Sequence, residues 1–102
     1  MSRVSEIEAQ RDATLSEMEH NYRSQQNDYE QQKEEIKSRG EDKQARGEDI
    51  SAEVNEYKEK EAMQDHRFDQ YEAEREKVWG DYQNDIDAAE QEEQEQDQDY
   101  GY

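Results

Sequence analysis

Large apolar residues in this chain recur at spacings of three, four and seven, which is the periodicity of one helical face. The first series is Val4, Ile7, Leu15, Met18, Tyr22, Tyr29 and Ile36, with Arg11 at a position the same spacing selects. From Leu15 the sevenfold step is strict: Leu15, Tyr22, Tyr29, Ile36. Its companions three residues later are Met18, Gln25 and Gln32, so half of this seam is polar and the stripe is narrow. A second series follows with Ile50, Val54, Tyr57, Phe68, Tyr71, Val78, Tyr82, Ile86 and Ala89, its weak positions being Glu61, Gln64 and Arg75. Ser2 or Ser5 can cap the first helix, and Ser5 with Glu8 fits a capping box.

Between the two series Arg39-Gly40-Glu41-Asp42 returns seven residues later as Arg46-Gly47-Glu48-Asp49. Either glycine can end a helix, since Gly costs a helix interior about 1 kcal/mol relative to Ala. Asp49 or Ser51 can start the next one. The companion offset also changes here. It is three in the first series (Leu15 to Met18) and four in the second (Ile50 to Val54). One continuous parallel coil would have to absorb a seam rotation of about 50° across this region, whereas a chain reversal absorbs none.

The expectation is therefore an all-α chain: an antiparallel helical hairpin or coiled coil. It has a first helix over 1–38, a Gly-containing turn over 39–49, a second helix over 50–89 and an acidic tail over 90–102 that is expected to be disordered alone. The alternative is one long helix in a parallel coiled coil. A reversal centred near residue 43 pairs positions whose numbers sum to about 86, and each arm spans roughly 50 Å. That register sets Ile36 against Ile50, Tyr29 against Tyr57, Met18 against Phe68 and Leu15 against Tyr71. It also sets Arg11 against Arg75 and Gln25 against Glu61.

Composition limits what such a hairpin can do alone. Apolar residues are 27% of the chain, against roughly 45–50% in ordinary globular domains, and charged residues are 43%. Proline is absent, and Glu with Gln supplies a third of the residues, which favours helix. So few large aliphatic side chains cannot offset the ordering of the whole chain, and a lone seam calls for a second hairpin or a host protein. The expected partners are proteins, in a homo-oligomer or as a subunit of a larger complex. Cysteine is absent, so disulfides and thiol chemistry are excluded. No apolar run exceeds three residues, which predicts neither a signal peptide nor a transmembrane segment. The chain is expected to be soluble, in the cytoplasm or within a viral particle.

Half of the net charge of −18 lies in residues 80–102, which hold nine acidic groups and no basic one. No basic face is present, which argues against direct binding to nucleic acid or an anionic membrane. The acidic tail residues are Glu90, Glu92, Glu93, Glu95, Asp97 and Asp99. Glu17-x-x-His20 has the spacing of one half of a di-iron site, but His66 has Met63 where the second half needs an acid. No catalytic, cofactor or metal site can be assembled, and the chain is expected not to be an enzyme. The residues best suited to protein contacts are Tyr22, Tyr29, Tyr57, Phe68, Tyr71, Trp79 and Tyr82, because aromatic rings give area at low entropic cost. The expected function is a non-enzymatic coiled-coil structural, assembly or accessory protein, possible settings being a viral particle or another large complex. The alternative is an acidic inhibitor seated on a basic nucleic-acid-binding surface of a partner protein.

Overall fold

The structure is a computed structural model that describes residues 2–99, with the backbone alone for 96–99. Tyr100, Gly101, Tyr102 and the side chains of Asp97 and Asp99 lie outside the described residues. Two helices account for nearly all of the rest: α1, Arg3–Ala45, and α2, Ser51–Asp99. No strand occurs among the described residues.

Helix α1 starts because Ser2 caps it. The Ser2 hydroxyl accepts the backbone N–H of Ser5 at 3.1 Å, satisfying one of the four donors that a helix start leaves unpaired. Ser5 thus lies inside the first turn, and Ser2 takes the capping role.

Helix α1 ends seven residues later than the sequence pattern suggests. Gly40 does not stop it, and Gly47 does. The Glu48 N–H reaches the Lys43 carbonyl at 2.9 Å and the Gly47 N–H reaches Gln44 at 3.0 Å, the paired bonds of a Schellman ending. Gly47 sits at φ 77°, a left-handed conformation that a Cβ disfavours. The chain then turns through Glu48–Ile50. Asp49 accepts the Ser51 N–H at 3.2 Å and the Ser51 hydroxyl at 2.7 Å, fixing the entry to α2.

Cα packing divides the chain into two units, one of residues 20–71 and one of residues 1–19 with 72–102. In the first unit the two helices run antiparallel. Tyr22 stacks on Tyr71, Gln26 donates to the Gln64 carbonyl at 3.4 Å, Lys33 lies over the Tyr57 ring and Gly40 faces Glu53. Partner numbers in these pairs sum to 90–93, not 86. The register is thus displaced by four to seven residues from the expected one, because the reversal is centred near residues 45–47 instead of 43. Tyr22 meets Phe68 and Tyr71, the residues that the expected register sets against Met18 and Leu15. Gln25 takes the Arg67 guanidinium instead of facing Glu61. In the other unit Arg11 lies over Trp79 instead of facing Arg75, and the Thr14 hydroxyl bonds the Tyr82 hydroxyl at 3.0 Å.

The two glycines of the repeated Arg-Gly-Glu-Asp motif therefore have opposite roles, with opposite expected effects. A Cβ on Gly40 would meet Glu53 Cβ at 3.6 Å, ordinary contact, so Gly40→Ala should gain up to about 1 kcal/mol of helix propensity. Gly47→Ala should lose about 1–2 kcal/mol, since Ala is forced into the left-handed region. Urea midpoints of the two variants should move in opposite directions.

Beyond Ala89 the helix continues to Asp99, ten residues past its expected end. Glu and Gln are good helix formers and the stretch contains neither Gly nor Pro.

Candidate protein-contact surfaces

The inward-facing residues of residues 20–71 are more polar than the heptad suggests. On α1 the half-buried or buried positions after Tyr22 are Gln26, Tyr29, Lys33, Ile36, Gly40 and Lys43, while Gln25 and Gln32 are exposed. On the other side they are Ile50, just before α2, and Glu53, Tyr57, Lys60, Gln64, Arg67 and Tyr71 on α2. Each series has moved by one residue at its polar positions, so Glu53, Lys60 and Arg67 turn inward where the sequence places Val54, Glu61 and Phe68. The long stems of Lys and Arg lend apolar area to such a seam while their heads reach out.

Ion pairs and hydrogen bonds hold this polar seam in register. Near the turn Glu53, 5% exposed, is bonded by Lys43 Nζ and approached by Arg39 Nε at 3.9 Å. Arg39 also pairs with Glu56. About three turns further along, Gln64 donates to Glu30 at 2.7 Å while Lys33 pairs with the same oxygen at 3.3 Å. Three carboxyls lie below their ordinary pKa as a result. Glu53 is held down first by the hydrogen bond from Lys43, Asp49 first by the Ser51 hydroxyl, and Glu30 first by Gln64.

The sign of the resulting pH effect follows from the depressed values. These groups add stability above the unfolded carboxylate range of about 4 and lose it as pH falls through their lower folded values. Below about pH 4 the turn-proximal seam should loosen, even as self-repulsion of the acidic chain is relieved. Urea midpoints read between about pH 6 and pH 3 check this. Glu53→Gln should show a smaller fall than the wild-type chain over that interval.

The seven aromatic residues predicted to make contacts divide into two groups. Tyr22, Tyr29, Tyr57, Tyr71 and Tyr82 are half-buried between the helices of their own chain. Tyr22 and Tyr71 stack at 4.2 Å with an interplanar angle of 11°, and Phe68 meets Tyr22 at 6.4 Å. Phe68 and Trp79 are 45% and 47% exposed, and so are Val54 at 40% and Met63 at 48%. Periodicity placed Val54 in the seam, and its exposure is a departure from that reading, whereas Met63 lies off the periodic series. Trp79 is half-covered on one face by the Arg11 guanidinium, 4.5 Å from the ring centroid. It also walls a cleft of about 420 Å³ with Glu72, Arg75 and Glu76.

A second, larger concavity lies beside the turn. It has a volume of about 470 Å³, and its walls include Ile36, Gly40, Ile50, Val54 and Tyr57. Glu53 lines it as well, and its Oε2 is buried without a hydrogen-bond partner. In the other unit the buried residues are Ile86 and Ala89, with Val4 and Ile7 half-buried.

Glu17 and His20 are both exposed, and among the described residues no three His, Asp or Glu side chains come together to hold a metal ion. Glu90, Glu92, Glu93 and Glu95 are exposed on α2. Among the described residues no helix is long and apolar enough to cross a membrane. Comparison with protein-family models, with curated proteins and with solved structures finds no match to this chain.

Proposed function

We propose that this chain is a non-enzymatic coiled-coil accessory or assembly protein that acts through protein–protein contacts, as a component of a viral particle or another large complex. The observation that carries the reading is an inversion of the usual arrangement. Lys33, Lys60 and Arg67 line the seam, while Val54, Met63, Phe68 and Trp79 stand 40–48% exposed. A chain with so few large apolar residues that leaves several outside gains most from them when a partner covers them.

An acidic inhibitor is the second reading, favoured by one observation. Helix α2 continues to Asp99, through a stretch with no basic residue. Its carboxylates are thus spaced along a helix, a form that suits a basic groove.

Affinity capture from the source lysate separates the two. The full chain and a chain lacking residues 90–102 are compared at low and high salt. The assembly reading expects a partner that survives high salt, is held equally by both chains, and is lost with Phe68→Ala or Trp79→Ala. A basic nucleic-acid-binding protein captured only by the full chain, and released by salt, would establish the inhibitor instead.

A further inference from the structure

The concavity beside the turn has a composition unlike the rest of the molecule. Its walls are largely apolar: Ile36, Ile50, Val54 and the Tyr57 ring, over Gly40. Its rim carries Lys37 and Lys58 against Glu41 and Glu61, all exposed, so that the rim sums to zero in a chain of net charge −18. Glu53 adds no net charge there, being bonded by Lys43. Its Oε2 nevertheless remains buried and unpaired.

These features select among occupants. A basic partner would be drawn to an acidic rim, and an acidic partner to a basic one. A balanced rim with both signs on each helix suits a surface that meets itself, because a two-fold axis brings each cation near an anion of the copy. The neutral rim is also where two chains of such high charge approach with least repulsion. On the same side of α2 the exposed apolar positions Val54 and Phe68 flank the charged Lys58, Glu61 and Asp65. Val54 and Phe68 are fourteen residues apart, hence on one side of the helix, and both are at least 40% exposed. We infer that the turn-proximal groove is a homodimer interface, in which a second copy of this chain covers Ile50, Val54 and Phe68 and the two lysine–glutamate rims pair across the two-fold axis. The inference rests on the protein-contact reading above and names its first partner.

Charge variants of the full chain test it, because only a self-docking surface responds to mixing. Sedimentation velocity of the wild-type chain from about 1 μM to about 1 mM should show a dimer of twice 12.3 kDa. Lys58→Glu takes the rim to −2, and Glu61→Lys takes it to +2. Each alone should weaken self-association about tenfold or more, and an equimolar mixture should recover a heterodimer. Val54→Glu should be monomeric at concentrations where the wild-type chain is dimeric. A wild-type chain that stays monomeric throughout overturns the inference. So does a dimer that ignores all three substitutions, or a mixture no tighter than its components. A monomer that still captures a salt-resistant partner overturns the homodimer and leaves the assembly reading standing. A groove-dependent dimer that captures only a salt-labile partner through its tail does the reverse.

Discussion

Replacing Ile36 with Ala should cost this protein about 2–4 kcal/mol, enough to unfold much of it. Ile36 is 6% exposed, and with Ile86 and Ala89 it makes up the buried apolar set among the described residues. In an ordinary core one cavity is shared among many neighbours. Here the positions flanking Ile36 on the inward face of α1 are Lys33 and Gly40, which cannot collapse into the space. The loss should appear in urea melts followed at 222 nm. It should be steeper at low protein concentration if the groove that Ile36 helps to wall is covered by a second copy. Ile36→Val, which removes one methylene, should cost only about 0.5–1.5 kcal/mol.

Tyr22→Ala should rank second, at about 2–3 kcal/mol. Tyr22 touches two aromatic rings of α2, Tyr71 at 4.2 Å and Phe68 at 6.4 Å. The nearly parallel stack with Tyr71 is worth about 0.5–1.5 kcal/mol beyond the area it buries. A double-mutant cycle of Tyr22→Ala with Tyr71→Ala should return a coupling of that size. A coupling near zero would mean that the two rings do not meet in solution. In the register first suggested by the sequence Tyr22 faces neither ring, so the same cycle also tests the register.

The helical character and the chain reversal were legible because both rest on periodicity. Leu15, Tyr22, Tyr29 and Ile36 define one face, and the change of companion offset across the glycines makes a continuous coil awkward. The register was not legible, for a physical reason. A sevenfold pattern slid by seven residues still sets seam against seam, so only the position of the turn decides. The turn position depended on which of two glycines stops α1. Local propensity treats Gly40 and Gly47 alike. What separates them is tertiary: Gly40 lies within ordinary contact distance of Glu53, while Gly47 alone adopts positive φ.

The exposed apolar positions were half legible for a related reason. A seam with Gln at its companion positions gives no periodic signal about which polar residue faces inward. Gln26 and Lys33 therefore could not be told from Gln25 and Gln32. The same one-residue ambiguity on α2 hid the exposure of Val54 and the burial of Glu53, and with them the groove. Phe68 and Trp79 were identified by their chemistry. Their exposure became visible only once the polar seam was in place.

The central claim is the hairpin itself, and one distance tests it. The chain has no cysteine, so Gln26→Cys and Gln64→Cys introduce the only two labelling sites. These positions face each other across the helices, with Gln26 Nε2 3.4 Å from the Gln64 carbonyl. Double electron–electron resonance on spin-labelled chain, diluted into unlabelled chain, should give a separation below about 20 Å, the width of two packed helices with their labels. A continuous helix would place these residues about 57 Å apart at 1.5 Å per residue, and a distance near that value would contradict the account.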